Sequence, residues 1–154
     1  MEKDDLSDLP ESIRKKLEAS GQDSKNKKSK RKKKNKVKKH VPIGRAYIKA
    51  SYNNTIISLT DLEGNVISWA STGMAGFKGP KKSTSYAAQI ITKIASVKAK
   101  EFGLEEVAVF VRGVGTGREA AIRTLNSSGI NVSTIKDTTP IPHNGCRPKG
   151  PRRV

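Results

Sequence analysis

Residues 106–126, EVAVFVRGVGTGREAAIRTLN, predict a buried strand, a glycine-rich turn and a helix in succession. The segment 107–111 is apolar on both faces, which is typical of a strand covered on both sides. Gly113, Gly115 and Gly117 then remove every second side chain. Glycine allows positive φ and lets another group approach the backbone closely. The rest of the chain is organised around this strand–turn–helix unit.

The helix is predicted to begin near Gly117, with Thr116 as its N-cap and Glu119 in its first turn, where an acid suits the helix dipole. Arg118 is expected to remain in solvent. Free N–H groups at a helix start, beside Arg112 and Arg118, favour a phosphate.

The spacing of the glycines can be compared with two known motifs that bind the phosphates of small molecules. A dinucleotide loop, G-x-G-x-x-G, would need its third glycine where Arg118 stands, although Asp137 lies 20 residues after Gly117, as expected for a ribose-binding acid. Neither the 113–119 segment nor residues 73–83 fit a Walker loop. Two interpretations remain: a tight turn without a ligand, and contact with the phosphates of a polymer.

The composition favours a polyanionic partner. Lys and Arg number 31 against 14 Asp and Glu, a net charge of +17. No stretch approaches 18 apolar residues, and the basic segments lack interleaved apolar residues, so a membrane is not the expected partner. One cysteine, Cys146, and an acidic beginning without a secretory signal predict a cytoplasmic protein.

Residues 1–44 are predicted to be an N-terminal extension. Apolar residues at spacings of three and four indicate a short helix over 8–20, either disordered alone or docked on a partner protein. In residues 25–39, eleven of fifteen side chains are Lys or Arg and none is acidic. This pattern favours an arm that binds RNA or DNA phosphates; a solubility tail and a nuclear localisation signal are the alternatives.

Residues 45–138 are predicted to form one α/β domain, with element order β-β-β-α-β-α-β and a mixed five-strand sheet. Besides the strand from residue 106, strands are expected at 46–51, 55–61, 66–71 and 130–136.

Turn and helix-end residues predict further details of this domain. Gly64 and Asn65 are expected to supply positive φ for a hairpin turn. The helix after loop 72–83 has an apolar stripe that extends to Phe102 and ends at Gly103. Both glycine-rich loops precede helices and carry cations, so a basic surface is predicted where they emerge.

Residues 139–154 form a predicted extended basic tail, because four prolines disfavour regular structure. His143 and Cys146 have the spacing of metal ligands, but zinc needs four, and the only other histidine is His40. The carboxylates fall at scattered points. No metal, cofactor or catalytic site is expected.

Four segments together resemble the bacterial-type family of the eleventh protein of the small ribosomal subunit, over about residues 45–154. They are ASYNNTIISLTDLEGNVISWASTG (50–73), FKGPKKSTSYAAQ (77–89), VRGVGTGREAAIRTLNSSG (111–129) and DTTPIPHNGCRP (137–148). The resemblance implies a ribonuclease H-like fold without nuclease activity. It also implies a structural protein of the subunit platform that binds small-subunit ribosomal RNA, beside the sixth and eighteenth small-subunit proteins and near messenger RNA leaving the decoding region.

The resemblance assigns RNA contact to the Asn53–Asn54 turn, the loop 77–83, the turn 113–118 and the tail 143–153. The expected RNA-binding residues are Arg45, Lys49, Asn53, Asn54, Lys78, Gly79, Lys81, Lys82, Ser83, Arg112, Gly113, Gly115, Gly117, Arg118, His143, Asn144, Arg147, Lys149, Arg152 and Arg153.

The expected mechanism is electrostatic anchoring, in which cations neutralise phosphates while glycine turns let the backbone approach RNA. Seven aromatic residues in 154 argue against base stacking on an open sheet as the main mode. Two other classes stay open: a nucleotide-binding enzyme domain using residues 113–117, and a nucleoid-type DNA-binding protein.

Overall fold

A computed structural model describes residues 40–151 of the chain. The predicted helix over 8–20, the basic arm 25–39, and Arg152 and Arg153 lie outside the described residues. Within the described range, no helix is long and apolar enough to cross a bilayer.

The predicted order of elements is confirmed. The strands are β1 (Ile43–Ala50), β2 (Thr55–Thr60), β3 (Val66–Ser71), β4 (Glu106–Arg112) and β5 (Asn131–Asp137), and the helices are α1 (Ser85–Lys100) and α2 (Gly117–Ser127). A short 3-10 helix, Gly79–Ser83, precedes α1. The strands form one mixed sheet in the order β3-β2-β1-β4-β5. The pairs β1–β2 and β2–β3 are antiparallel, whereas β1–β4 and β4–β5 are parallel.

Both helices pack on one face of the sheet and against each other. That face of β1 and β4 is fully buried at Ile48, Val109 and Val111, which are at most 1% exposed. On the opposite face no helix within residues 40–151 covers β4, and Ala108 and Phe110 are only half-buried. Among the described residues, helices therefore cover this strand on one face only, and not on both faces as predicted.

Each helix ends at a glycine with positive φ. Gly103 has φ +76° and its N–H donates to the carbonyl of Lys100, so this helix end is as predicted. Gly129, with φ +78°, ends α2 by the same pattern. In both, the next residue is buried and its N–H reaches back five residues, which satisfies a carbonyl of the last turn. Phe102 lies beyond the helix and is half-buried, so the predicted stripe extends too far.

Strand β1 begins three residues earlier than predicted. The carbonyl of Pro42 accepts hydrogen bonds from the N–H groups of Glu105 and Glu106, and this draws Ile43 into register with β4. Sequence periodicity cannot detect this pairing, because the partner lies more than 60 residues away.

The turn between β2 and β3 also differs from the prediction. Gly64 has φ +92°, as expected, but among the described residues only Asn144 combines a side chain with positive φ, so Asn65 does not. Instead, the amide of Asn65 donates to the Asp61 carboxylate over 3.1 Å. This bond, followed by backbone N–H donors of the turn, lowers the pKa of Asp61.

Candidate nucleic-acid interface

The topology brings the predicted RNA-binding segments to one end of the sheet. The parallel strands β1, β4 and β5 have their carboxyl ends there, as does β3, and helices α1 and α2 begin there. We call this region the basic end: the 51–54 turn, the 72–84 loop, the 113–117 turn and residues 138–151. Ligands of α/β sheets commonly bind at carboxyl ends of strands.

The glycines of the 113–117 turn allow it to pack on the end of β1. The N–H of Gly115 donates to the carbonyl of Ala50 over 3.0 Å. A Cβ on Gly115 would lie 2.9 Å from the carbonyl carbon of Ser51, closer than real contacts. Gly113 has φ +97°. The close approach predicted for these glycines is therefore satisfied by the protein's own backbone.

The C-terminal tail starts from the same turn. The hydroxyl of Thr139 accepts the N–H of Gly113 over 3.0 Å, and the N–H of Thr138 donates to the carbonyl of Val111 over 2.8 Å. The N–H groups of Gly113 and Gly115 thus have acceptors inside the protein. At this turn the donors left for a phosphate include side chains and first-turn N–H groups of α2 other than that of Arg118, which donates to the carbonyl of Gly115.

Thr116 joins the two glycine-rich loops. Its hydroxyl donates to the carbonyl of Ser83 over 2.6 Å, and its side chain does not cap α2. Thr116 is the N-cap residue of α2, as predicted, but its side chain makes no capping hydrogen bond because its hydroxyl is used across the loops. By contrast, Thr84 caps α1, since its hydroxyl accepts the N–H of Ala87 over 3.2 Å.

The 51–54 turn is held from two sides. The hydroxyl and N–H of Ser51 both bond to Asn54. The hydroxyl of buried Thr72 donates to the side-chain oxygen of Asn54. Asn53 is exposed beside this fixed residue. Of the two asparagines predicted to bind RNA, Asn54 thus already uses its side-chain oxygen in a hydrogen bond within the protein.

Arg118 is only partly in solvent, with its side chain 30% exposed. Its guanidinium lies 2.5 Å from the Asp137 carboxylate and also donates to the carbonyl of Gly113. The hydroxyl and N–H of Thr139 donate to the other oxygen of Asp137. These Thr139 bonds and then Arg118 hold the pKa of Asp137 well below its usual range. Asp137, which has the sequence spacing of a ribose-binding acid, is therefore already paired with Arg118.

Exposed cations surround this framework. Lys78 and Lys81 are exposed on the 72–84 loop, and Lys82 and Ser83 are half-buried. Lys49 and Arg112 are exposed neighbours at the carboxyl ends of β1 and β4. This arrangement matches the basic surface that was predicted where the loops emerge.

Not every predicted residue lies at the basic end. Arg45 is half-buried near the beginning of β1, toward the opposite end. In the tail, His143, Asn144, Arg147 and Lys149 are exposed beyond the sheet. Asn144 has φ +54°.

Carboxylates collect at the opposite end of the sheet. Of the acids in residues 40–151, these lie at that end: Asp61, Glu63, Glu101, Glu105 and Glu106. Among the described residues, no three or more His, Cys, Asp or Glu side chains group as metal ligands would. Two carboxylates of the described residues lie at or beside the basic end: Asp137, which is paired with Arg118, and Glu119 in the first turn of α2, which is paired with Arg123.

Sequence reasoning missed four threonines that fasten the basic end: Thr72, Thr84, Thr138 and Thr139. Thr84 stands directly before the helix, where a capping pattern could have revealed it. The partners of Thr72 and Thr139 lie 18 and 26 residues away, so local sequence contains no signal for them.

Comparison with known protein families gives a match to the family described as ribosomal protein S11, over residues 44–153. The matched range contains nearly all of the described fold and the entire basic end. It leaves out the basic arm and the segment before it.

Proposed function

The chain belongs to the ribosomal protein S11 family, and we propose that its basic end anchors ribosomal RNA at the platform of the small subunit. Members of this family are structural, non-enzymatic components of the small ribosomal subunit that bind ribosomal RNA and contact neighbouring subunit proteins. The proposal concerns where on this chain the RNA lies and which side chains hold it.

The observation that supports it is the convergence of four separate segments on one end of the sheet. Three hydrogen bonds connect these segments: Thr72 donates to Asn54, Thr116 donates to Ser83, and the N–H of Gly113 donates to Thr139. Such a framework fixes exposed lysines and arginines relative to one another before RNA arrives. Fixed cations lose less conformational entropy on binding than cations on a mobile loop.

The side chains have different roles in this proposal. Lys78, Lys81 and Lys82 neutralise phosphates beside the glycine turn, with Lys49 and Arg112 along the adjacent strand ends. Arg118 acts as a positioning residue, because its guanidinium bridges the turn and Asp137. The tail from His143 to Arg153 and the arm 25–39 add further phosphate contacts.

Three finer assignments follow from the resemblance. We propose neighbours corresponding to the sixth and eighteenth small-subunit proteins, a location near the messenger RNA exit, and a role in assembly of the subunit in the cytoplasm. We also propose the division into extension (1–44), domain (45–138) and tail (139–154). The mixed sheet with both helices on one face supports a ribonuclease H-like assignment of the fold.

The test is binding of the full chain to a platform fragment of small-subunit ribosomal RNA and to a scrambled RNA, from 50 to 200 mM salt. Contact with roughly 6–10 phosphates costs about 10³-fold or more in affinity over that range. Lys81→Ala is expected to reduce the slope of log affinity against log salt by about 0.7–0.9. Lys98→Ala is the matched control, because Lys98 is an exposed lysine near the end of α1, at the end of the sheet opposite the basic end. This substitution should change neither the salt slope nor the affinity.

Equal binding to the two RNAs, or an equal loss in the two lysine variants, would argue against the basic end as the specific site. A duplex DNA of the same length tests the nucleoid-type alternative, which requires tighter binding to DNA than to the platform fragment. The nucleotide-binding alternative is weakened because Asp137 is already bound to Arg118.

A further inference from the structure

The helix-free face of the sheet, here the open face, carries aromatic and cationic side chains. It includes Arg45, Tyr47 and Lys49 of β1, Ile56 and Ser58 of β2, Trp69 of β3, Glu106, Ala108, Phe110 and Arg112 of β4, and Lys136 of β5. The strand register aligns one row across all five strands: Trp69, Ser58, Tyr47, Phe110 and Lys136. Three of the seven aromatic residues therefore share this row.

Two of these rings already stack on each other. The ring centroids of Tyr47 and Phe110 are 5.2 Å apart, with an angle of 19° between the planes. The opposite face of the Tyr47 ring is turned toward β2, where Ser58 is too small to cover it. Tyr47 is 40% exposed and Trp69, on the other side of Ser58, is 53% exposed.

In this row the small residue Ser58 separates Tyr47 from Trp69, and we call the space above Ser58 the slot. Neighbouring strands lie about 4.8 Å apart, so the backbones of β1 and β3 are separated by about 9.6 Å. A flat group between two rings needs about 3.5–4.0 Å on each side. The slot therefore has the width for one planar group. Within residues 40–151, the Ser58 hydroxyl has no hydrogen-bond partner and is available to it.

The charge of the open face favours an anionic occupant. Arg45, Lys49, Arg112 and Lys136 flank the row, and Glu106 is the single acid. None of the four cations forms an ion pair within the part of the chain that the structure describes. Lys49 and Arg112 are also cations of the basic end, so the two surfaces are continuous.

We propose that single-stranded RNA crosses the open face, with one base held in the slot between Tyr47 and Trp69 and its phosphates beside the four cations. This inference rests on the proposed function, because it extends the same RNA contact from the basic end onto the sheet. A purely protein partner would meet unpaired cations beside the apolar row, and burying unpaired charges is costly. The low number of aromatic residues still makes stacking the minor mode; their alignment, rather than their number, creates the slot.

Trp69 is the only tryptophan and reports directly on the slot. The full chain is titrated with an eight-nucleotide oligouridylate at low salt, while anisotropy of a labelled strand measures total binding. Stacking of a base is expected to quench Trp69 fluorescence in proportion to bound RNA. Tyr47→Leu keeps the apolar volume and is expected to abolish most of the quench and lower affinity about tenfold. Leu62→Ala, at an exposed apolar residue in the turn between β2 and β3 at the opposite end of the sheet, is the control and should change neither. Phe110→Leu, which leaves both walls of the slot in place, serves as a second variant and should weaken the quench less than Tyr47→Leu.

Each result decides the proposal. If the platform fragment and the oligouridylate both bind fully but Trp69 emission does not change, no base occupies the slot. The proposal that RNA binds the basic end would then still hold. No binding of the platform fragment or the oligonucleotide would overturn both. A blue-shifted Trp69 in the RNA-free chain, moving to the red when residues 1–24 are removed, would assign the slot to the chain's own acidic segment and overturn RNA as its occupant.

Discussion

Thr116 donates its hydroxyl hydrogen bond to the backbone carbonyl of Ser83, across 2.6 Å and 33 residues of sequence. This bond fixes the lysine-bearing loop before α1 against the glycine turn before α2. The two loops that the sequence presents as separate motifs are thereby one surface.

Thr116→Val removes this hydrogen bond with almost no change in volume. It is expected to cost about 0.5–1.5 kcal/mol of unfolding free energy and to increase amide exchange in residues 78–84. Thr116→Ser keeps the hydroxyl and should retain the protection of that loop. Denaturant unfolding and hydrogen exchange measure the two effects. Unchanged exchange in the valine variant would contradict the bridging role.

Gly115→Ala places a methyl group against the backbone of Ser51, which cannot move as a side chain tip could. We expect a loss of about 1–3 kcal/mol from overpacking, measured by denaturant unfolding. Gly73→Ala is the control, since nothing lies within 4 Å of its added Cβ and its φ is not positive. Equal stability of the two variants would disprove the tight contact between turn and β1.

Gly129→Ala tests positive φ without a steric clash, because only the Lys100 ammonium lies near the added Cβ, at 3.8 Å. The left-handed conformation costs a non-glycine residue about 1–2 kcal/mol. Gly129→Asn should cost less, since asparagine tolerates this conformation better. Thermal or denaturant unfolding measures the stability of the wild-type protein and the two variants. Equal stability of the alanine variant and the wild-type protein would contradict the prediction.

Asp137 is expected to titrate below the ordinary aspartate value of 3.8. Because its folded pKa is depressed, its contribution to stability is present above that ordinary value and is lost as the pH falls toward the folded value. Carboxyl-carbon NMR shifts measure the titration. Thr139→Val should raise the pKa of Asp137, since the Thr139 hydroxyl is the largest cause of the depression. Thr138→Val leaves the Asp137 carboxylate bonds intact and should have no effect. An ordinary titration in the wild-type chain would refute the assignment.

Patterns within about ten residues predicted most of the fold. The valines of β4, the loop-to-helix transition before α1 and Gly103 gave the element order and the mixed sheet. Both glycine-rich loops were expected to form a basic surface because each precedes a helix and carries cations. The strand order itself depends on pairing between distant segments, which periodicity does not specify.

Two of the errors share a physical origin, which is competition by distant partners for polar groups. Thr116 has the sequence position of a cap, but Ser83 offers its hydroxyl a better partner. Arg118 has the periodicity of a solvent residue, but Asp137 lies within reach at the end of β5. Among the described residues, the cover predicted on both faces of β4 is found on one face only, because periodicity records apolar character and not which element provides the cover.

The central position of β1 has a consequence for synthesis. In the chain emerging from a ribosome, β2 and β3 follow β1 at once and can form an antiparallel meander with it. The other edge of β1 has no partner until residue 112 has been made. During that interval an exposed strand edge is open to pairing with another nascent chain. Pairing of strand β4 with β1 therefore also ends the period in which the edge of β1 is exposed.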